Sequence, residues 1–263
     1  MAKDLVSIIM LSHNMGQFVE ESVRSIIAQT YTNWELLLVD DASNDGTIQR
    51  LMELKDTLDK AIAKKIKISQ TVSERGETCN RNSALKQARG RWMAFLDAGD
   101  IWTPEKLQKQ IAFMEEHGYA MTYTMYGVMD MKSHHRGMII GGKTHVTHQD
   151  MLKCCWPSYL TVMYDVKKVG LVQARCKQDN DYALWLNVTD KHDCYLLPEN
   201  LATLRTKWGK LGRVLLTNQR KWRYEAFRID EDLKPFKAYL YTIRNGAYGL
   251  VKWFKYAHRI SVQ

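Results

Sequence analysis

Apolar runs of four to six residues alternate with amphipathic segments along the first 117 residues of the chain. Nearly continuous apolar runs are typical of buried parallel strands, and apolar positions at helical spacing indicate surface helices. The predicted strands are Val6–Leu11, Trp34–Val39, Ile66–Ser69 and Trp92–Leu96. The predicted helices are Gln17–Gln29, a segment running towards Lys60, Thr78–Ala88, and one with Thr103 as N-cap and Pro104 at its first position. This alternation predicts an α/β fold, a Rossmann-like and mostly parallel sheet with helices on both faces.

The pattern changes after Glu116. Tyr119–Met131 alternates and is followed by three glycines, which predicts antiparallel strands or a hairpin. Helical spacing returns in Asp179–Thr189, Gly212–Arg228 and Lys234–His258. We therefore expect one domain over residues 1–204, with an α/β half at about 1–117 and a mixed half at about 118–204. A helical C-terminal appendage follows over residues 205–263.

Charge is distributed unevenly along the 263 residues. The formal net charge is +9, yet residues 1–204 carry 24 Lys and Arg against 25 Asp and Glu. Residues 205–263 carry 14 basic and 4 acidic residues, so the whole basic excess lies in the last 59 positions. A segment of this kind is attracted to an anionic surface, such as phospholipid headgroups, a polyanionic substrate or nucleic acid.

The cysteines and histidines give little support for a metal-thiolate or disulfide protein. The five cysteines are odd in number and form no CxxC pair, which is typical of a reducing cytoplasm. His145 and His148 fall in a predicted hairpin, where they are either metal ligands or solvated loop side chains. The N-terminal run has no signal-peptide pattern, and no stretch of about 18 uncharged apolar residues predicts a membrane span.

The candidate chemistry is concentrated in the segment RGRWMAFLDAGDIWTPEKLQKQ. Its apolar strand ends in Asp97 and Asp100, which are separated by Ala98 and Gly99. Open α/β sheets bind ligands at the carboxyl ends of their strands, and oxygen ligands suit a hard cation that also contacts phosphate. The alternative is two solvated acids in a tight turn.

At this point three ordered motifs resemble a known family. VSIIMLSHNMGQFVEESVRSIIAQTYTNWELLLVDDASNDGT is similar to the opening of the family 2 inverting glycosyltransferases with the GT-A fold. NRNSALKQARGRWMAFLDAGDIWTPEKLQKQ resembles their segment ending in the Asp-X-Asp metal motif, and NDYALWLNV resembles their catalytic-base helix. CWPSYLTVMYD resembles the subgroup that builds bacterial cell-surface polysaccharides, including teichuronic-acid-type and lipopolysaccharide-type transferases.

The resemblance implies which residues contact the nucleotide sugar. Ser12, His13 and Asn14 lie where the family contacts base and ribose, although at least one of them also suits a helix N-cap. Asp40 matches the acid that contacts the uracil or thymine ring, whereas Asp41 and Ser43 are expected to hold the turn. Two cations complete the set, Arg75 and Arg81. Arg81 either meets phosphate or forms a structural salt bridge to Asp97 or Asp40.

The metal motif departs from the family pattern. The family usually has Asp-X-Asp-Asp, whereas this chain has Asp-Ala-Gly-Asp, so Gly99 removes the middle carboxylate. Asp97 then becomes the better candidate for contacting ribose and a Mn²⁺ or Mg²⁺ ion. Asp100 joins it only if Gly99 turns the chain, because residues three apart do not share a face of an extended strand.

The resemblance implies that Asp181 is the catalytic base, with Asn180 in place of the family's glutamate. A carboxylate near the sugar takes the proton of the acceptor hydroxyl, although an acid at a helix start also complements the helix dipole. The candidate acceptor contacts are Trp156, Tyr159 and Asn180. The two aromatic residues either stack on an acceptor sugar or pack in the core.

The leading hypothesis is an inverting transferase moving a sugar from a UDP- or dTDP-sugar to a polyprenyl-diphosphate-linked glycan. In the segment YLYTIRNGAYGLVKWFKYAHRI, basic residues beside aromatics suit the inner face of the cell membrane, although an ordinary solvated basic helix has the same composition. The expected location is therefore cytoplasmic and peripheral on that membrane. A second hypothesis is a nucleotide-sugar-binding protein of the same fold that is weakly active or inactive through Gly99. A nucleic-acid-binding protein is a third, but no recognition motif supports it.

Overall fold

The structure of the protein is a computed structural model that describes residues 2–72, 76–175, 181–206 and 218–259. The strands are β1 Ala2–Ser12, β2 Trp34–Asp40, β3 Ile66–Gln70, β4 Gly90–Phe95, β5 Ile101–Trp102, β6 Met121–Met129, β7 His135–Ile140, β8 His145–Val146, β9 Met163–Asp165, β10 Cys194–Arg205 and β11 Ala257–Arg259. The helices are α1 Val19–Ile27, α2 Thr47–Thr57, α3 Lys60–Ala63, α4 Glu77–Gln87, α5 Lys106–His117, α6 His148–Lys153, α7 Val166–Val169, α8 Asp181–Thr189, α9 Asn218–Ile229 and α10 Pro235–Tyr256. A 3₁₀ turn covers Tyr159–Thr161.

The four predicted N-terminal strands form the parallel part of the sheet. Strand β1 lies between β2 and β4, and β3 pairs with the outer side of β2. Alternate residues of β1 face different cores, Ile8 and Met10 on one side and Ile9 and Leu11 on the other. Helices α1, α2 and α5 cover the first face, whereas α4 and α8 cover the second. The predicted α/β sheet with helices on both faces is therefore confirmed.

The second half of the sheet is mixed. Strand β9 pairs antiparallel with β4, and β6 continues the sheet antiparallel to β9. The predicted hairpin is formed by β6 and β7. Strand β10 runs parallel to β6 and also pairs with the short strands β5 and β8. In the described part of the chain, parallel pairing thus occurs among β1–β4 and between β6 and β10.

The two C-terminal helices pack on the same core as the rest of the domain. Phe227 of α9 and Ala238 of α10 are fully buried in the apolar cluster that contains Tyr182. The Asn245 amide of α10 donates a hydrogen bond to the Tyr182 hydroxyl at 2.9 Å. Strand β11 then pairs with β7 at the sheet edge. Residues 218–259 therefore share the core of the first 204 residues.

The start of α5 differs from the prediction. Thr103 and Pro104 lie in a turn, and the helix begins at Lys106. The Thr103 amide donates to the Leu201 carbonyl at 3.0 Å, and the Gln29 side-chain oxygen accepts the Leu107 amide at 3.0 Å. Partners from distant segments thus satisfy the groups that a local N-cap would have served.

Within the described ranges, no helix combines the length and apolar character that crossing a membrane requires.

Candidate functional site

The loops after β1 and β2 form one hydrogen-bonded unit at the carboxyl edge of the sheet. The Asn14 amide donates to the Ser43 hydroxyl at 2.8 Å, and the Asn14 side chain accepts the Asn44 amide at 3.0 Å. A His13 ring nitrogen lies 2.7 Å from the Asp41 carbonyl oxygen. Ser12 is buried, and its hydroxyl has no hydrogen-bond partner among the residues that the structure describes. His13 and Asn14 stay exposed, so this rim is open to a ligand.

Asp40 holds the turn after β2 from a fully buried position. Its carboxylate accepts the Ser43 amide at 2.9 Å, the Ser43 hydroxyl at 2.6 Å and the Gln70 amide group at 3.4 Å. Asp41 instead accepts the Gly76 amide at 3.1 Å. Ser43 holds the turn as expected, but Asp40 is its partner, so a ligand reaches Asp40 only if this turn moves.

Gly99 turns the chain sharply between the two acids of the Asp-Ala-Gly-Asp segment. Its φ angle is +107°, a conformation that side-chain-bearing residues rarely adopt. The Gly99 amide donates to the Ser22 hydroxyl at 2.8 Å, and the Asp100 amide donates to the Asp97 carbonyl at 3.2 Å. The backbone conformation thus explains why this position is a glycine in this chain.

Arg205, the last residue of β10, fixes that turn from the other half of the sheet. Its backbone amide donates to the Asp100 carboxylate at 2.8 Å, and its Nε donates to the Gly99 carbonyl at 2.8 Å. The guanidinium also pairs with Glu21 and lies 4.3 Å above the Phe18 ring. Sequence reasoning missed this residue, because one arginine in an unassigned segment carries no signal that it will meet a loop 105 residues away.

A second buried arginine, Arg81, lies between the carboxylates of Asp97 and Asp181. Arg81 of α4 is 2% exposed, and its guanidinium pairs with Asp181 and lies 3.7 Å from an Asp97 carboxylate oxygen. Its Nε donates to the Tyr159 hydroxyl at 2.8 Å. Burial alone would lower the pKa of Arg81, but Asp181 and Asp97 raise it, so the guanidinium stays charged. The salt bridge from Arg81 to Asp97 was one of the two alternatives left open by the sequence.

Asp97 and Asp100 are carboxylates in surroundings that disfavour their negative charge. Burial raises the pKa of Asp97, Arg81 opposes this shift, and Asp181 and Asp100 add to it. Burial likewise raises the pKa of Asp100 to about 7. One Asp97 carboxylate oxygen is buried without a hydrogen-bond partner in the described part of the chain. A divalent cation would satisfy that oxygen and offset the repulsion, so the donor set fits such an ion.

The described ranges contain no group of three or more metal-ligating side chains. A cation at Asp97 and Asp100 would therefore need further oxygen ligands from water or a bound phosphate, as Mg²⁺ commonly does. His145 pairs with Asp193 at 2.7 Å, and His148 pairs with Glu231 at 3.1 Å. The two histidines thus contact separate carboxylates rather than forming one metal site.

The aromatic residues considered for an acceptor sugar are buried. Trp156 donates its indole N–H to the Asp150 carbonyl at 3.1 Å and packs edge-on against Tyr256. The Arg81 guanidinium lies 4.1 Å above the Tyr159 ring. Both side chains therefore pack in the core, and Tyr159 also lines the cavity that contains Asp181. Arg75 and Asn180 lie outside the described residues.

A cavity of about 450 Å³ lies beside Asp181. It is bordered by Tyr126 of β6, by the ends of β7 and β10, by α8, α9 and α10, and by Cys154, Cys155, Pro157, Ser158 and Tyr159. Asp181 is one-third exposed, which is enough to meet a molecule in the cavity. Asp181 lines this cavity, and Asp97 is linked to Asp181 through the guanidinium of Arg81.

Solved structures with this architecture are glycosyltransferases of the GT-A fold. Staphylococcus aureus TarS 1–349, solved with UDP-GlcNAc, superposes with a TM-score of 0.69 at 19% identity, covering 95% of this chain and 74% of TarS. The mannosyltransferase PcManGT of Pyrobaculum calidifontis, solved with GDP-Man and Mn²⁺, gives 0.64 at 15% identity and covers 94% and 72%. The fold class predicted from the sequence is confirmed.

Sequence comparison gives the family. Residues 7–158 match the model of glycosyl transferase family 2, and the chain belongs to that family. The putative teichuronic acid biosynthesis glycosyltransferase TuaG of Bacillus subtilis is 34% identical over 205 residues, 77% of this chain and 79% of TuaG. The Escherichia coli UDP-Glc:α-D-GlcNAc-diphosphoundecaprenol β-1,3-glucosyltransferase WfgD is 35% identical over 187 residues, 70% and 69% of the two chains. The protein is therefore a family 2 glycosyltransferase, similar to transferases of bacterial surface polysaccharides.

Proposed function

We propose that the protein is an inverting glycosyltransferase. It moves a sugar from a UDP- or dTDP-sugar to a hydroxyl of a polyprenyl-diphosphate-linked glycan in bacterial surface polysaccharide synthesis. The observation that carries the proposal is the contiguous row of Asp97, Arg81 and Asp181, in which Asp181 lines the cavity. The similarity to WfgD, which transfers glucose from UDP-Glc to a diphosphoundecaprenol-linked sugar, supports the donor and the acceptor class.

The donor lies on the β1–β4 side of the cleft in this proposal. Ser12, His13 and Asn14 contact base and ribose, and Asp40 contacts the pyrimidine ring once its turn opens. Arg75 and Arg81 contribute positive charge near the diphosphate. Asp97 and Asp100 would hold Mn²⁺ or Mg²⁺, an ion that would supply positive charge beside the nucleoside diphosphate.

Asp181 acts as the base on the opposite side of the sugar. Its carboxylate takes the proton of the acceptor hydroxyl while that oxygen forms a bond to the anomeric carbon. The bond from the anomeric carbon to the diphosphate oxygen breaks, and its electron pair leaves with the nucleoside diphosphate. Attack opposite the leaving group inverts the anomeric centre. Arg81 supports this step by orienting the carboxylate of Asp181.

Asp181→Asn tests the assignment of the base. We expect transfer to fall by roughly 10²–10⁴-fold, the usual contribution of general base catalysis. The Kd for UDP should stay within about threefold, since the asparagine oxygen can still accept a hydrogen bond from Arg81. Asp190→Asn at the exposed end of the same helix is the matched control. Retention of more than about a third of wild-type turnover would remove Asp181 from the mechanism.

The transfer assay and the UDP titration of the wild type also test the alternative hypothesis of an inactive nucleotide-sugar-binding protein. If the wild-type protein binds UDP but transfers sugar neither to lipid-linked acceptors nor to water, the nucleotide-sugar-binding protein becomes the better description. Retention of the donor configuration at the anomeric centre, read by NMR of the product, would contradict the inverting mechanism.

Helix α10 is the part of the molecule that we propose lies on the inner face of the cell membrane, giving a cytoplasmic, peripheral protein. One side of the helix is packed through Ala238, Thr242 and Asn245. The other side exposes large apolar residues at helical spacing, namely Phe236, Tyr239, Leu240, Ile243, Leu250, Val251 and Phe254. Lys237 and Lys255 lie beside them, and an apolar face with flanking basic residues suits an anionic lipid surface.

Co-sedimentation with phosphatidylglycerol vesicles tests the membrane proposal. Ile243→Ser together with Phe254→Ser should move the protein to the supernatant while leaving UDP binding unchanged. Point substitutions are preferable to truncation, because the Tyr256 carbonyl accepts the Gly141 amide at 3.0 Å and β11 completes the sheet edge. Met52→Ser, an exposed apolar residue on α2, is the control. A wild-type protein that stays in the supernatant at low salt, or that forms a dimer through this face, would contradict the proposal.

A further inference from the structure

Two basic side chains from the C-terminal helices line the cavity that contains Asp181. They are Arg223 of α9 and Lys252 of α10. Most of the remaining wall is apolar and includes Pro157, Trp185 and Trp253. Arg205 also lines the cavity, with its guanidinium paired to Glu21. A cavity that combines apolar walls, three cations and a carboxylate suits a ligand with an apolar portion and an anionic group.

Lys252 is held in place by the backbone. Its Nζ donates to the carbonyls of Cys155 at 3.0 Å and Trp156 at 2.5 Å. An ammonium group has three donors, so these contacts leave one for another acceptor. Within the ranges that the structure describes, no carboxylate forms a salt bridge with Lys252, and its charge therefore lacks an acidic partner there.

Arg223, Lys252 and Asp181 all act on the same short segment. Burial raises the pKa of Cys155 to about 12, while the charges of Lys252 and Arg223 oppose that shift and Asp181 adds to it. The same two cations also act on Cys154. All three charged groups line the same cavity as Cys155.

The cavity also lies next to the exposed apolar face of α10. Gly249, Lys252 and Trp253 line the cavity, whereas Val251 and Phe254 on the same turns are exposed. One helix therefore connects the face proposed for the membrane with the wall of the cavity. A lipid-linked molecule can place its chain near the exposed face and its charged headgroup inside.

We propose that Arg223 and Lys252 bind the diphosphate of the prenyl-linked acceptor and so place its sugar at Asp181. The inference rests on the proposed function and names the residues that recognise the acceptor. The donor diphosphate is assigned to the opposite side, with Asp97 and Asp100, because in-line displacement requires donor leaving group and acceptor on opposite faces of the sugar. Two cations contacting a diphosphate form charge-assisted hydrogen bonds, which suit this geometry.

Farnesyl diphosphate is a soluble probe of this site, since it carries a prenyl chain and a diphosphate but no sugar. Its binding is measured by calorimetric titration with the donor site saturated by UDP. Arg223→Gln and Lys252→Gln should each weaken binding by roughly 10-fold or more, because each removes hydrogen bonds to a charged group. Farnesol and inorganic pyrophosphate, run in parallel, distinguish a prenyl diphosphate from an apolar chain or a free phosphate.

Matched controls on the same helices are Arg220→Gln on α9 and Lys237→Gln on α10, both exposed. Each should leave the affinity for farnesyl diphosphate within about twofold. Lys252→Arg should retain most of the binding, and melting temperatures report whether Lys252→Gln still folds. If Lys252→Gln fails to fold, Arg223→Gln and Lys252→Arg remain decisive.

Three results would overturn the inference. They are a wild type that does not bind farnesyl diphosphate, an Arg223→Gln variant that binds it with unchanged affinity, and an Arg223→Gln variant in which binding of UDP is weakened instead of binding of farnesyl diphosphate. Tighter binding of pyrophosphate than of farnesyl diphosphate would likewise assign the site to free phosphate. Failure of the proposed function is separate, since it appears as absence of sugar transfer while farnesyl diphosphate still binds. Conversely, normal sugar transfer by both Arg223→Gln and Lys252→Gln would refute only the acceptor site.

Discussion

Replacing Arg81 with methionine should lower the free energy of unfolding by about 3 kcal/mol. The substitution keeps a side chain of similar length but leaves Asp97 and Asp181 facing each other without the guanidinium between them. It also removes the donor to the Tyr159 hydroxyl. The loss should therefore be much greater than for a surface ion pair.

The magnitude follows from the distances and the exposure of the partners. Two unit charges at the 3.7 Å between Arg81 and Asp97 attract by about 4.5 kcal/mol at an effective dielectric constant near 20. Asp97 and Asp181 are each about one-third exposed, so water screens part of this attraction. Breaking a buried pair usually costs roughly 3–5 kcal/mol, and this partly screened case belongs at the lower end.

Urea denaturation and thermal melting measure the effect. For a domain of this size we expect a fall in Tm of roughly 6–12 °C. Arg81→Lys should recover part of the loss, since an ammonium keeps the charge but not the planar fork that reaches both acids. In the double variant with Asp181→Asn the loss should be smaller than the sum of the single losses, since one unpaired carboxylate is gone.

Arg24→Met is the control, because Arg24 forms an exposed pair with Glu20 on α1. It should change stability by no more than about 0.5 kcal/mol. If the free energy of unfolding of Arg81→Met lies within about 1 kcal/mol of the wild-type value, the reasoning is refuted, because Asp97 and Asp181 then need no buried cation.

Asp97→Ala should weaken Mn²⁺ or Mg²⁺ binding in calorimetric titrations with UDP present, and equal affinity in both proteins would exclude Asp97 from the site. Gly99→Asp should tighten metal binding while lowering Tm, because space is available near Met15 but φ is +107°. Glu35→Gln should lower the free energy of unfolding by about 1–3 kcal/mol at neutral pH. Burial alone would raise the pKa of Glu35, but hydrogen bonds led by Arg89 lower it. The contribution of Glu35 to stability is therefore full above about pH 4.3 and is lost as pH falls through its folded-state pKa. If the difference in free energy of unfolding between wild type and Glu35→Gln, measured in urea, stays constant down to about pH 3, this assignment is contradicted.

The sequence determined the parallel sheet and placed the candidate acids at the carboxyl ends of its strands. Residues of β1 and β2 are apolar because helices cover both faces, and this local pattern is enough to place the strands. Glycine in the Asp-Ala-Gly-Asp segment predicted a turn, which the φ angle of Gly99 confirms. The motifs were sufficient to predict the family, because family 2 spreads its chemistry over segments that each lie beside one strand or helix.

Tertiary structure alone decided which side chains meet across the cleft. Arg205 reaches the Gly99 turn from the end of β10, and the start of α5 depends on Gln29. Such contacts join segments far apart in the chain, and no local pattern encodes them. Likewise, composition showed that the C-terminal residues are basic, but only packing separates Lys252, which lines the cavity, from Lys237, which faces solvent. Which face of a helix is covered depends on what the rest of the chain places against it.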